Sequence, residues 1–157
     1  MSDERDIQEV QARYVRAADY LDGAAMSSLF LPEGKVEVFY NNAGKPEFIG
    51  ELVGAEAIGA AVATMMKPHP PRGWSHHTTH DPIIEVNGDT GTLDAQFVVF
   101  NIVGAAKPEG GWPEGTLGAQ GTITPIETGY YRPTLKKVNG RWMMVHHRIY
   151  LDLPMAF

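Results

Sequence analysis

The chain has 157 residues, of which 43% are hydrophobic and 20% charged, with a formal net charge of −6. That length predicts a single domain over residues 1–157. The basic residues are scattered, which argues against a nucleic-acid surface. The absence of cysteine excludes disulfides and thiolate metal sites.

No segment predicts secretion or membrane insertion. The first six residues are mostly charged and lack the apolar core of a signal peptide. No apolar run reaches the roughly 20 residues that span a bilayer. We therefore expect a cytoplasmic protein with no membrane partner.

Three helices and an early strand pair are predicted in the first half of the chain. Apolar residues recur at helical spacing in the three segments 7–21, 24–31 and 51–66. Pro32 ends the second helix and Pro68 the third. Alternating polar and apolar residues at 35–40 predict a strand. A turn at 41–44 then reverses the chain, which continues through Phe48 as the second strand of the pair.

The second half of the chain predicts a meander of four long strands. Their predicted ranges are 75–86, 90–103, 121–138 and 141–151. Asn87-Gly88 and Asn139-Gly140 are hairpin turn signals. The segment 104–121 contains six glycines and two prolines and predicts a long loop or flap.

The second long strand is apolar on both faces at Phe97-Val98-Val99-Phe100. Such a strand needs cover on both sides. Helices can cover one side, and a second copy of the chain is the simplest cover for the other. We therefore expect an α+β fold with helices on one face of the sheet, and a homo-oligomer (dimer or trimer) formed through the other face.

Three local signatures accompany this order of elements: Tyr14-x4-Asp19-x2-Asp22, His77-x10-Gly88-Asp89 and Asn139-Gly140-Arg141-Trp142. With them, nearly the whole chain resembles the nuclear-transport-factor-2-like (NTF2-like) superfamily and its SnoaL-like group. The resemblance implies a cone, in which three N-terminal helices pack on a strongly curved, mixed but mostly antiparallel sheet that encloses a pocket. The group includes scytalone dehydratase, bile-acid dehydratase and hexachlorocyclohexane dehydrochlorinase. It also includes non-catalytic small subunits of ring-hydroxylating dioxygenases.

The resemblance also implies a site. Asp19 is expected to orient His77, which removes a proton from the substrate. The substrate-binding set is expected to comprise Tyr14, Asn101, His147 and Tyr40. The register of Asn101 is open by one position, and Tyr40 has core packing or an interface contact as its alternative. A second carboxylate that some members carry near Asn101 is absent.

The residues themselves leave other readings open. Asp19 lies about 140° around the helix from Tyr14, so it could be solvated, and Asp22 is nearer the apolar stripe. His76 and His80 share one strand face while His77 points the other way. This spacing is not the helical zinc motif, and we expect no metal. Alternation places Val145, His147 and Ile149 on one face, so His147 is either a pocket residue or a locally satisfied buried group.

Together these features predict a cofactor-independent lyase of the dehydratase type, or an isomerase, that uses Asp/His general base catalysis. The expected substrate is a small apolar cyclic molecule that is steroid-, polyketide- or terpenoid-like. The alternative is a non-catalytic ligand-binding protein or an accessory subunit. Epoxide hydrolysis by an Asp-Arg-Asp set is a weaker option, because these spacings do not assemble such a set.

Overall fold

The structure is a computed structural model that describes residues 2–156. The helices are α1 (Asp3–Asp19), α2 (Gly23–Ser27) and α3 (Ala55–Thr64). The strands are β1 (Phe30–Tyr40), β2 (Glu47–Val53), β3 (Gly73–Asn87), β4 (Thr90–Gly104), β5 (Gly121–Val138) and β6 (Arg141–Leu151). A short 3₁₀ turn, Asn42–Gly44, joins β1 to β2. Within residues 2–156, no helix combines the length and apolarity needed to cross a membrane.

All six strands form one sheet in the order β2-β1-β6-β5-β4-β3. The β1–β6 pair is parallel and the other pairs are antiparallel. The helices pack on one side of this curved, open sheet, with α1 against β3 and α3 against β1. The predicted α+β architecture, a mixed but mostly antiparallel sheet with three helices, is confirmed.

Helix α1 begins four residues earlier than predicted, because Ser2 caps it. The Ser2 hydroxyl accepts a hydrogen bond from the Arg5 backbone N–H at 3.3 Å. Acidic residues in the first turn favour the positive end of the helix dipole. The helix ends at Asp19, since Leu21 adopts a positive φ of 55°. Asp19 is therefore the last helical residue, where its side chain can reach a neighbouring strand.

Two other predicted helix bounds are wrong. The segment 24–31 is helical only to Ser27, after which the chain enters β1 and continues through Pro32 as strand. Residues 51–53 belong to β2 and not to the third helix. Gly54, with a φ of 96°, separates that strand from α3. Periodicity alone did not locate this switch from a period of two to a period of 3.6.

The core lies between the helices and the facing side of the sheet. On β4, Leu93, Ala95, Phe97 and Val99 are buried and alternate with less buried residues. Opposite Phe97 stands Gly129, where a Cβ atom would collide with the Phe97 ring and the Tyr150 carbonyl oxygen. The helix-facing side of β4 is therefore tightly packed, while the other side, which carries Val98 and Phe100, is only partly covered.

A β-bulge changes the faces expected for β6. Thr134 pairs with His146 and Leu135 with Met144, which leaves Val145 as the extra residue. The fully buried Met144 therefore precedes His147 on the inner face. The prediction that Val145 shares the face of His147 by simple alternation is wrong.

The predicted loop between β4 and β5 is a loop in the structure, over residues 105–120. A backbone hydrogen bond of 2.9 Å from the Ala105 N–H to the Gln120 carbonyl closes its base. Four of its glycines have positive φ values: Gly110, Gly111, Gly115 and Gly118. This backbone geometry requires glycine or a strained residue, which explains the composition of the segment.

Candidate functional site

Asp19 and His77 are in direct contact. The Asp19 Oδ1 atom lies 2.6 Å from the His77 Nδ1 atom and also accepts a hydrogen bond of 3.0 Å from the His77 backbone N–H. Asp19 is 4% exposed, and the His77 side chain is 16% exposed. The two elements that the sequence pairs, the end of the first helix and the first long strand, therefore meet at this point.

Asp19 is buried although it lies about 140° around the helix from Tyr14, because it is the last residue of α1. The helix packs along β3, so a side chain in its last turn meets the strand and not solvent. The Asp19 carbonyl oxygen is also held, at 2.7 Å from His69 Nε2. Asp22, the alternative nearer the apolar stripe, instead caps α2 by accepting a hydrogen bond from the Ala25 N–H at 2.9 Å.

The contact fixes the tautomer of the imidazole. A carboxylate only accepts hydrogen bonds, so the nitrogen facing Asp19 must carry the proton. In neutral His77 the Nε2 atom is then the unprotonated nitrogen. This geometry is one in which an imidazole can act as a general base while a carboxylate orients it and stabilises its protonated form.

The pair lines a groove between α1 and β3, together with Arg16, Trp74 and Thr78. This lining is mixed in polarity, whereas the sequence predicted an apolar cavity. His76 stands at its edge with a 59% exposed side chain, and its Nδ1 atom lies 3.8 Å from Asp19 Oδ2. His76 thus also approaches the Asp19 carboxylate, although its side chain is far more exposed than that of His77.

Tyr14 and His147 pack together in the core between α1 and the sheet, and neither lines the groove itself. Their rings meet edge to face, with centroids 4.6 Å apart. His147 is fully buried, and neither of its ring nitrogens has a hydrogen-bond partner among the described residues. Burial lowers the pKa of His147 to about 3 and raises the pKa of Tyr14. Both groups are consequently neutral near pH 7.

A comparison with protein families identifies the group to which this scaffold belongs. The SnoaL-like domain family matches residues 1–148. The chain belongs to the SnoaL-like family. No curated protein sequence matches it significantly.

Solved structures support the NTF2-like fold of this SnoaL-like chain. An NTF2-like protein with a cystatin-like fold from Novosphingobium aromaticivorans is 24% identical, with a TM-score of 0.66 over 98% of this chain and 84% of that chain. The beta subunit of a candidate aromatic-ring-hydroxylating dioxygenase from the same organism is 16% identical, with a TM-score of 0.70 over 97% and 90%. A candidate dehydratase of the NTF2-like family from Streptomyces avermitilis is 15% identical, with a TM-score of 0.63 over 97% of both chains.

Asn101 and Tyr40 lie away from the Asp19–His77 contact. Asn101 is exposed and pairs with Ser75 and Thr124, one inward-facing position beyond the row that contains His77. Tyr40 is the half-buried last residue of β1 and pairs with Leu151. Neither side chain makes a hydrogen bond to a residue between 2 and 156, so their substrate-binding roles stay predictions.

Tyr131 and Glu127 were not predicted as site residues, yet both lie near Tyr14 in this SnoaL-like chain. Tyr131 is a buried core residue whose ring lies 5.5 Å from the Tyr14 ring and 5.2 Å from the His147 ring. Burial, then the charges of Tyr14, Glu127 and Asp19, raise the pKa of Tyr131. The charge of Glu127 also acts on Tyr14. The strand alternation could have pointed to Glu127, because it lies two residues before the buried Gly129 and therefore faces inward as well.

The described residues contain no group of three or more histidine and acidic side chains placed to hold a metal ion. His76 and His80 lie on the opposite strand face from His77, which spreads the histidine cluster over both sides of β3.

Proposed function

We propose that this protein is a cofactor-independent lyase or isomerase that acts on a small apolar cyclic substrate, with His77 as its general base. The observation that carries the proposal is the 2.6 Å contact between Asp19 Oδ1 and His77 Nδ1. A nearly buried carboxylate paired with a partly accessible imidazole is the arrangement that proton abstraction needs. The similarity of the fold to a candidate dehydratase of the NTF2-like family is consistent with it.

The proposed reaction begins when His77 Nε2 takes a carbon-bound proton from the substrate. The positive charge then formed on the ring lies against the Asp19 carboxylate, which keeps its own negative charge. Negative charge builds on the substrate at the same time and needs hydrogen-bond donors. Tyr14 and Tyr131 are the proposed donors, because their raised pKa values keep their hydroxyls protonated.

The proposed substrate class follows from the aromatic residues around the proposed donors. Tyr14, Tyr131 and Phe97 form a continuous aromatic cluster, in which the Phe97 and Tyr131 rings stack with centroids 4.1 Å apart. On this proposal the substrate packs against this cluster through a ring that is itself apolar, such as a steroid-, polyketide- or terpenoid-like molecule. The buried ring nitrogens of His147, which lack a hydrogen-bond partner among the described residues, are the proposed contacts for a substrate oxygen.

The first experiment replaces the proposed base. His77→Ala should lower kcat/KM by at least about 100-fold on any cyclic ketone or alcohol that the wild-type protein converts, because general base catalysis contributes on that scale. His80→Gln is the matched control, since His80 lies on the same strand with its side chain 45% exposed, and it should keep full activity. Equal activity of His77→Ala and wild type would exclude His77 as the base.

A second candidate function is an accessory subunit without catalysis. The observation that favours it is the similarity to the beta subunit of a candidate aromatic-ring-hydroxylating dioxygenase, with a TM-score of 0.70. On this proposal the sheet face docks on a partner enzyme, and the Asp19–His77 contact only joins α1 to β3. Then His77→Ala would lower thermal stability without removing any conversion, and no cyclic compound in a thermal-shift panel would stabilise the wild-type protein.

A further inference from the structure

Glu127 is a carboxyl group on the same face of the sheet as His77, two strands away. His77 on β3 pairs with Val99 on β4, and Val99 pairs with Glu127 on β5. Directly paired residues in antiparallel strands place their side chains on the same face of the sheet. His77 and Glu127 therefore face the helices in one row, with backbones about 10 Å apart across two strand spacings.

No structural contact accounts for this carboxyl group. Glu127 is half-buried, and within residues 2–156 it takes part in no hydrogen bond or ion pair. The groups near enough to interact with its charge are His77 from β3, Tyr14 from α1 and Tyr131 from its own strand. Unpaired carboxyl groups in such places are costly when they serve only the fold.

The surroundings of Glu127 favour its protonated, neutral form when His77 is also neutral. Burial raises the pKa of Glu127, and the positive charge of a protonated His77 lowers it. Glu127 therefore holds its proton more readily beside a neutral imidazole than beside an imidazolium. A pair coupled in this way can accept a proton at His77 while Glu127 gives one up.

We propose that Glu127 is the general acid of this site, and that the substrate is a hydroxylated ring whose hydroxyl group leaves as water. The proposal rests on the proposed lyase function. The C–H bond next to the carbinol carbon breaks, its proton goes to His77 Nε2, and its electron pair forms the C=C bond. The C–O bond breaks with its electron pair on oxygen, which takes the Glu127 proton and leaves as water. Return of the proton from the imidazolium to the carboxylate through solvent restores the starting state, and nothing is oxidised or reduced.

The test compares two leaving groups on one ring. The probes are 3-hydroxycyclohexanone and 3-acetoxycyclohexanone with their decalone analogues. Acetate can leave as an anion without being protonated, whereas a hydroxyl group needs a proton to leave as water. Glu127→Gln should lower kcat/KM for the hydroxyl probes by at least about 100-fold and change that for the acetoxy probes by less than about threefold. His77→Gln should lower both, and Glu85→Gln, an exposed glutamate on β3, should lower neither. Equal losses on both probes in Glu127→Gln, or no loss on either, would overturn the assignment.

A second measurement needs no substrate. Carbon-13 NMR of glutamate-labelled protein, with the Glu127 signal assigned from Glu127→Gln, should give a carboxyl pKa above that of ordinary glutamate. In His77→Gln this pKa should rise further, since the attraction of the imidazolium is lost. A Glu127 that titrates at or below the ordinary value refutes the general acid. If the wild-type protein converts neither probe, the lyase proposal fails, and the titration alone decides whether Glu127 holds a proton two strands away from His77.

Discussion

At the scale of single residues, the buried polar groups divide into one that is paired and two that are not. Asp19 is held by the His77 ring and backbone. The side-chain atoms of Gln11 and His147 have no partner among residues 2–156, although both residues are at most 2% exposed. An unsatisfied buried polar group costs on the order of 1–3 kcal/mol. His147 is therefore expensive for the fold, as a pocket residue that awaits a ligand would be.

The first prediction at this scale concerns acid stability and His147. Its folded-state pKa of about 3 is below the ordinary value of 6.5, so the unfolded chain binds a proton that the folded chain excludes between these values. The contribution of this group to the free energy of unfolding is then fully present above about pH 6.5. It falls as the pH drops toward 3, by up to about 1.4 kcal/mol per pH unit. His147→Leu should flatten this acid limb in urea unfolding measured at several pH values.

Two other histidines, His146 and His80, help to interpret this measurement. Burial and Arg148 also lower the pKa of His146, so a smaller slope should remain in His147→Leu. His80→Gln, which removes an exposed imidazole, should keep the slope of the wild-type protein. An acid limb of unchanged steepness in His147→Leu would mean that His147 takes up its proton normally in the folded state.

At the scale of elements, α2 and α3 depend on two glycines that let their backbones touch. A Cβ at Gly59 would lie 2.5 Å from the Gly23 carbonyl oxygen and 2.9 Å from the Ser27 Cβ atom. Glycine in a helix interior is normally replaced by alanine with a gain of about 1 kcal/mol. Here the backbone oxygen cannot rotate away as a side chain would, so the added methyl group must push the two helices apart.

We therefore predict that Gly59→Ala destabilises the protein, against helix propensity, by about 1–3 kcal/mol, which is typical of overpacking. Chemical denaturation at neutral pH measures the change. Ala60→Gly, at an exposed position of the same helix, should cost about 1 kcal/mol through propensity alone. A gain in stability for Gly59→Ala would show that α2 and α3 can separate without loss.

The sequence predicts some elements better than others for physical reasons. The ranges of β5 and β6 were predicted correctly, because the Asn139-Gly140 turn marks where one strand ends and the next begins. The join of β2 and α3 was missed, since residues 51–53 fit either period. Asp19 as the orienter of His77 came from family resemblance, because helical angles describe the faces of a helix and not contacts beyond its last turn. Glu127 was missed, since the row it shares with His77 depends on the register of three strands, which no local pattern specifies.

At the scale of the whole molecule, the outer face of the sheet is more apolar than a solvent face needs to be. Val98 and Phe100 lie there only partly covered. Further along the same face, the Arg132 guanidinium carbon lies 4.7 Å from the Tyr130 ring centroid and 4.8 Å from that of Tyr150. Aromatic residues and arginine are enriched at the centres of protein interfaces. This composition supports the expected homo-oligomer through this face.

We predict that the wild-type protein is a dimer or trimer in light scattering coupled to size exclusion, and that Val98→Asp makes it monomeric. A stable interface buries about 800 Å² per partner, and a carboxylate at its centre would lose water without gaining a counter-charge. Val53→Asp, on the edge strand β2 where Val53 is 60% exposed, should leave the assembly unchanged. If the wild-type protein is a monomer, or if Val98→Asp keeps the wild-type mass, the outer face needs another partner. The accessory-subunit function would then gain support, because a face of this composition must still be covered.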